Sequence, residues 1–393
     1  MKYVLFTFSG EGISILEKLQ REGNDVTIAQ IDDARDILTD EELKNPKKEL
    51  FEEKRRRLSM YNGMIEKYPA KRMVTALKKV KDPSEYFLFF DMNNSFRFAE
   101  QLQDLGFNGN FPTAEDRAFE IDRDKGKQFV KKYYPRVFVA EVQDFKKVED
   151  ARKFLEETDR VWALKGKSED ATTVVPSVDD PMLAAEQILE ELDGNPSVYE
   201  QNGFILEEKI MDPIELTPQR MYYNGELIFT DLDLELKKLG AGDTGFMTGC
   251  AADLVFPIPN NCKLADIAFP PIVAEMAKKH KGLFIWDISL LVDPKTNKMY
   301  MGEFCPNRLG WNAFYTEVCQ LSTVTDFFEG IVKQKNPYEY AAGKYGVSVR
   351  LFNLPDKPAY MEQGADLKNK KISWAEEVDN YLYLPHYRQY MLF

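Results

Sequence analysis

Histidine is nearly missing from this sequence: 393 residues carry two, His280 and His386. They stand far apart along the chain, so a histidine-based zinc site or a Ser-His-Asp triad is not expected. Cysteine is scarce as well. The four present (Cys250, Cys262, Cys305, Cys319) form no CxxC pair and no Cys/His ligand spacing, so free thiols in a reducing compartment are expected. No run approaches the ~18 apolar residues of a membrane span. The opening "YVLFTF" is too short for the apolar segment of a secretion signal and lacks a cleavage site. Positive charge is in deficit too. Lys and Arg number 52 against 65 Asp and Glu, a net charge of −13, which argues against a nucleic-acid partner. A local basic pocket for a small phosphorylated ligand is compatible with that balance. The expectation is a cytoplasmic monomer or homodimer acting on small molecules.

What the chain does have is length and apolar content. With 44% hydrophobic and 13% aromatic residues over 393 positions, two to four domains with packed interiors are expected. "YVLFTF", "SGEG", "ISILEKLQREG" and "DVTIAQID" read as strand, Gly turn, helix and strand. Ile13, Leu16 and Leu19 have near-helical spacing, and the order is that of a parallel α/β sheet. "DEELKNPKKELFEEKRRRLSMY" reads as a solvated helix pair or insertion around 40–60. "EYFLFFD" and "FRFAEQLQDLG" resume the strand–helix alternation, and the first domain is expected to end near Pro112.

From 113 the texture changes. "AEDRAFEIDRDKGKQFVKKYY" and "PMLAAEQILEEL" are helical, and "RVWALKGKS" is a strand ending in lysines. "GFILEEKI", "QRMYY" and "ELIFTDLDLEL" follow as strands, joined in part by the turn "NGE". "LFIWDISLLVDPKTNKMYMGEF" reads as a hairpin turning at "DPKTNK". The helix "STVTDFFEGIVKQ" comes next, and "GVSVRLFNL" and "YLYLP" read as strands of a small terminal domain.

The hairpin carries the chemistry. Centred on Lys295, it sets Asp287 opposite Glu303, and directly opposed residues have Cβ atoms ~4.5–5.5 Å apart. Two carboxylates so close repel, and one pKa rises unless a cation lies between them. Asn307 adds an amide oxygen just past the strand. Such hard oxygens suit Mg²⁺, with water and a substrate phosphate completing its shell. The plainer alternative places both acids on a solvated sheet face, paired with lysines; the apolar flanks favour burial and the metal.

Five short segments, in order, add to this: "AFEIDRDKGKQFVKKYY", "VWALKGKS", "FILEEKIMDPIE", "ELKKLGAGDTGFMTG" and "GEFCPNRLG". Together they resemble the ATP-grasp superfamily and, within it, the phosphoribosylamine-glycine ligases. The resemblance implies an α/β chain: an N-terminal parallel α/β (pre-ATP-grasp) domain over 1–112, a two-lobed ATP-grasp domain with antiparallel sheets over 113–335, and a small C-terminal β-rich domain over 336–393. A mobile lobe over about 136–206 would close over ATP. It also implies an ATP-dependent carbon–nitrogen ligase of purine-biosynthesis type, with ATP and Mg²⁺ (or Mn²⁺) as cofactors. Its partners would be a small carboxylate and an amine, joined through an acyl phosphate.

Carried over by position, the resemblance implies that Lys125 and Lys165 contact ATP phosphates. Glu207, Glu208, Lys209 and Ile210 would line adenine, largely through backbone, and Glu215 would hold ribose. Lys237 or Lys238 would reach the nucleotide. Asp287, Glu303 and Asn307 would hold the metal, and Arg308 would steady the acyl phosphate or the substrate carboxylate. Substrate contacts would come from Ser9, Gly10 and Gly12 in the first turn and from Asp243, Thr244 and Gly245. Point charges and planar forks are the groups that phosphates and carboxylates require.

The sequence also departs from that pattern. In "GKSEDATTVV" one glycine, Gly166, stands where the relatives carry several, leaving the Ser168, Thr172 and Thr173 hydroxyls. Cys305 and Pro306 separate Phe304 from Asn307. The turn "FSGEGISIL" lacks the family's basic residue and histidine, which favours another amine, such as a modified nucleotide or an amino acid. The depleted loop alone would suit a nucleotide-binding module without ligase activity. Dinucleotide binding is disfavoured, because Ile15 stands where GxGxxG needs its last glycine.

Overall fold

The protein is represented by a computed structural model. It describes residues 1–8, 10, 12–38, 63–166, 173–176, 178–240, 244–308, 323–335 and 345–349, with backbone alone at 34, 202, 239, 240, 244–249, 348 and 349. The expected insertion near 40–60 and the strand "YLYLP" lie outside the described residues. The chain divides into two compact units.

The first unit comprises 1–126, 215–289 and 303–393. It opens with strands β1 (Lys2–Thr7), β2 (Asp25–Gln30), β3 (Glu66–Pro69), β4 (Tyr86–Phe90) and β5 (Asn108–Gly109). They form one parallel sheet in the order β3-β2-β1-β4-β5. The apolar runs in β1 and β4 follow from burial on both faces, as in parallel sheets covered on either side. Tyr3, Leu5, Phe87 and Phe89 enter one core with Ile13, Leu16 and Leu19 of helix α1 (Ile13–Arg21). Val4, Phe6, Leu88 and Phe90 enter the opposite core with Val74 and Leu77 of helix α2 (Ala70–Leu77). Two-residue alternation in the strand thus sorts one sequence run into two cores. Helix α3 (Ala114–Ile121) follows, its N-terminus closed by a capping box between Thr113 and Asp116.

The second unit comprises 127–214 and 290–302. Helix α4 (Arg123–Tyr133) runs into it, followed by β6 (Val137–Phe138) and β7 (Val142–Phe145). Helix α5 (Val148–Glu157), β8 (Trp162–Gly166), helices α6 (Pro181–Gly194) and α7 (Pro196–Asn202), and β9 (Phe204–Glu208) complete its main body. The sheet order is β7-β9-β8. One face packs on the helices through Trp162, Leu164, Phe204 and Leu206 against Leu155, Ile188, Leu192 and Tyr199.

The chain then returns to the first unit with β10 (Ile214–Tyr223), β11 (Glu226–Gly240), β12 (Thr244–Pro257) and β13 (Leu283–Asp287). These pair antiparallel in the order β12-β11-β10-β13. The two-residue turn joining β10 to β11 is Asn224–Gly225, both with positive φ (49° and 85°), the pair that a tight hairpin turn demands. Strands β14 (Leu290–Val292) and β15 (Met299–Met301) form the expected hairpin in the second unit, turning between Asp293 and Lys298. β15 also pairs parallel with β6. Helix α8 (Val324–Val332) packs Phe327 and Phe328 into the core of the parallel sheet. Strand β16 (Gly346–Val349) pairs with β12. The first of the two expected tail strands is therefore part of the first unit's antiparallel sheet.

Candidate functional site

In the second unit, alternation along β8 and β9 leaves Lys165, Ile205 and Glu207 on the face away from the helical core. Glu207 is bonded there by two ammonium groups, those of Lys165 and of Lys127 on α4. Burial would raise the Glu207 pKa, but the charges and hydrogen bonds of Lys165 and Lys127 outweigh it and hold the carboxyl below its usual value. Two lysines on one carboxylate leave a net positive spot. Lys125 does not join them. Two residues turn a helix by about 200°, so Lys125 and Lys127 point to opposite sides. The Lys125 ammonium lies 3.9 Å from Glu115 and 4.4 Å from the Phe119 ring centroid, within the first unit. Of the residues expected to line adenine, Glu208 and Lys209 spend their N–H groups on the carbonyls of Glu141 and Val161. The Lys209 ammonium donates to the Pro176 carbonyl at 2.7 Å, and Ile210 follows half-buried.

In the first unit the register of the antiparallel sheet gathers acids on one face. Glu215 stands opposite Glu235, Thr217 opposite Asp233, and Gln219 opposite both Asp231 and Asp287. On the next strand Asp253 stands opposite Glu235. Asp231, Asp233, Asp253 and Asp287 are each under 5% exposed, at 1%, 1%, 2% and 4%. Lys237 lies on this face: its ammonium bonds Glu235 and sits 3.4 Å from Glu215. Lys238 stands across from Met247, beyond a register shift. Thr217 donates to Glu235 at 2.8 Å and Gln219 to Asp231 at 3.1 Å. Burial raises the Glu215 carboxyl to about 7; the Lys237 charge opposes this, Glu235 adds to it, and the Ser289 hydroxyl bonds the anion. Burial likewise pushes Asp287 well above the usual carboxylate range. The Cys305 N–H, donating to it at 2.7 Å, and the Arg308 charge oppose this, while Glu235 and Glu303 add to it.

The geometry corrects the expected hairpin. Asp287 closes β13, which pairs with β10, while β14 and β15 pair one residue out of the expected register, Leu291 facing Tyr300. Asp287 and Glu303 are therefore not cross-strand partners. Glu303 lies past the end of β15 and is exposed, not buried. Its carbonyl accepts from the Ser289 N–H at 2.9 Å, which still brings it close to the β13 terminus. Asn307 is fully buried at positive φ (55°); its amide oxygen accepts from the Ile285 N–H at 3.1 Å and its NH₂ donates to Asp116 at 3.0 Å. That is a clamp joining β13 to the α3 cap. Arg308 is buried too, donating to Glu120 at 2.8 Å.

At the first turn Gly10 donates to the Thr7 hydroxyl at 2.7 Å, and Gly12 donates to the Asp91 carboxylate at 3.0 Å. A carboxylate thus occupies the Gly12 amide where a substrate contact was expected. Ser9 and Asp243 lie outside the described residues; Thr244 and Gly245 open β12 with only their backbone described.

No protein-family model matches the sequence, and no curated protein matches it. Solved structures do. The phosphoribosylamine–glycine ligase of Thermotoga maritima superposes with a TM-score of 0.54 at 14% identity, over 91% of this chain and 82% of that one. The N5-carboxyaminoimidazole synthase of Aspergillus clavatus, solved with ADP and 5-aminoimidazole ribonucleotide, gives 0.52 at 11% identity, over 92% and 84%. The biotin carboxylase domain of Hydrogenobacter thermophilus 2-oxoglutarate carboxylase, solved with MgADP and bicarbonate, gives 0.50 at 14% identity, over 89% and 74%. The chain has the ATP-grasp fold. Two features of the geometry were not anticipated from the sequence: the bond of Lys127 to Glu207, and the burial of the acids of β11 and β12. The second lysine of "DKGK" and the alternation "DLDLE" were the available signals.

Proposed function

We propose that the chain is an ATP-dependent carboxylate–amine ligase. The observation that carries this is the pair Lys127 and Lys165 held on Glu207, a preformed positive spot on the face of a small sheet away from its helical core. Each ammonium is a point charge suited to a phosphate oxygen, and Glu207 fixes both in place before a nucleotide arrives. Ile210 supplies the backbone contact to adenine, since Glu208 and Lys209 have spent their amides in the sheet. Lys237 is a basic residue of the acidic face, where Glu215 serves ribose.

Asp287 and Glu303 fit a divalent metal. Asp287 keeps one oxygen on the Cys305 amide, and the like charges around it favour a cation. Magnesium held there would neutralise phosphate charge as the phosphoryl group moves. The γ-phosphoryl group passes from ATP to a carboxylate oxygen, leaving ADP. The amine nitrogen then attacks the carbonyl carbon, the C–O bond to phosphate breaks, and the nitrogen gives up a proton. Arg308 steadies Asp287 through its charge, from its place on Glu120.

An amine other than phosphoribosylamine is favoured by the first turn, where the Asp91 carboxylate already holds the Gly12 amide. ADP release with MgATP across a panel of amino acids, each with and without phosphorylated and unphosphorylated amines, tests the proposal. Turnover that requires one acid and one amine, and that disappears in Asp287→Asn, is expected. ATP binding without turnover on any pair would instead favour a binding module.

A further inference from the structure

The acidic face extends beyond the residues used above, toward β12. There the thiol of Cys250 donates to Asp253, and donor atoms of Glu235, Cys250 and Asp253 all lie within 4.8 Å of one another. Asp233 precedes Glu235 by two residues on the same face of β11. It is 1% exposed, and neither carboxylate oxygen has a hydrogen-bond partner among the described residues. The nearby charges acting on it are Asp253, Glu235 and Asp231, with Lys237 in opposition. A buried carboxyl group with both oxygens unsatisfied is costly. A proton cannot remedy this, since a neutral acid still needs partners for its O–H and its carbonyl.

We propose that Asp233, Glu235, Cys250 and Asp253 form a site for a thiophilic divalent cation of the zinc type, separate from Asp287 and Glu303. Donors around a tetrahedral ion with bonds of about 2.0–2.3 Å stand roughly 3.3–3.8 Å apart, so Glu235, Cys250 and Asp253, already within 4.8 Å of one another, close on the ion by side-chain adjustment, and Asp233 swings in to join them. The sulfur decides the class of ion: thiolate with carboxylate suits zinc or cobalt, whereas magnesium takes oxygen alone. The ion displaces the Cys250 proton that now rests between sulfur and Asp253. Glu235 keeps its bonds to Thr217 and Lys237, because each carboxylate oxygen has a second lone pair.

The inference does not rest on the ligase activity, and its test reads the metal directly. Chelator-treated full-length protein is titrated with Co²⁺ and followed by absorption. One equivalent should produce a thiolate-to-cobalt charge-transfer band that Zn²⁺ abolishes. Cys250→Ser, close in shape to the native residue, should lose the band; Asp287→Asn should keep it. Asp233→Asn and Asp253→Asn, each compared with its own metal-free form, should lose the rise in Tm that Zn²⁺ gives the unaltered protein. Absence of the band in the unaltered protein, or its persistence in Cys250→Ser, overturns the proposal.

Discussion

Lys127, Lys165 and Glu207 act as a single group, and their variants should show it. Lys127→Met and Lys165→Met should each weaken ATP binding by roughly 10- to 100-fold, about the 1.5–3 kcal/mol of a charge-assisted hydrogen bond. The double variant should lose less than the product of the two, because both lysines share Glu207. Lys125→Met should stay within about twofold of the unaltered protein, as expected of an exposed pair. ATP titrations by calorimetry decide all three. Equal losses at Lys125 and Lys127 would break the assignment. His280 offers a different residue-scale test. Burial lowers its pKa, but the hydrogen bond and charge of Asp116 and the Met276 carbonyl raise it by more, so the net shift is upward. A raised folded-state pKa means that this stabilisation is fully present below the unfolded value of about 6.5 and is lost as pH rises through the folded one. Melting followed from pH 6 to 9 should therefore show a steeper fall in stability for the native protein than for His280→Asn.

Between elements, β5 comes close both to β4 and to the start of β13. A Cβ on Gly109 would fall 2.2 Å from the Leu88 carbonyl oxygen, and one on Gly282 would fall 2.1 Å from the Gly109 oxygen. Both residues also have positive φ, 145° and 66°. Gly109→Ala and Gly282→Ala should each cost about 3 kcal/mol or more in urea unfolding, since backbone rather than a flexible side chain must move. The elements were the most legible part of the sequence. "YVLFTF" and "EYFLFFD" announced strands because burial on both faces leaves no polar alternation to confuse the signal. "DLDLE" announced a strand as well, but a period of two gives two faces without saying which is covered. The usual assignment puts leucine inside; here Asp231, Asp233 and Glu235 are buried while Leu236 is 49% exposed. The β14–β15 register was off by one because Asp287 belongs to a strand committed to β10, a long-range pairing that hairpin spacing cannot reveal. Lys125 was preferred to Lys127 on resemblance alone; only the helix phase relative to Glu207 separates them.

For the whole molecule, ligand linkage supplies the test. MgATP at about 100 times its Kd should add roughly 2.7 kcal/mol of stability, seen as a higher Tm, and a chelator should remove most of it. Asp287→Asn should reduce the metal-dependent part while leaving the metal-free Tm little changed. The division into two units, one of them 127–214 with 290–302, means that the chain leaves and re-enters the first unit twice before that unit is complete. Within it the Asn224–Gly225 turn takes on a task beyond joining two strands. Sliding β11 by one residue against β10 would exchange its two faces, carrying the half-buried Leu234 and exposed Leu236 inward and the acids outward, an exchange that hydrophobicity rewards. The tight turn, with Tyr223 facing Glu226, forbids that slide by fixing the count of residues at the hairpin end. It acts as a proofreader of folding. Loosening it, as in Gly225→Ala, should yield a misregistered, aggregation-prone species during refolding, even where the final native fold can still be reached.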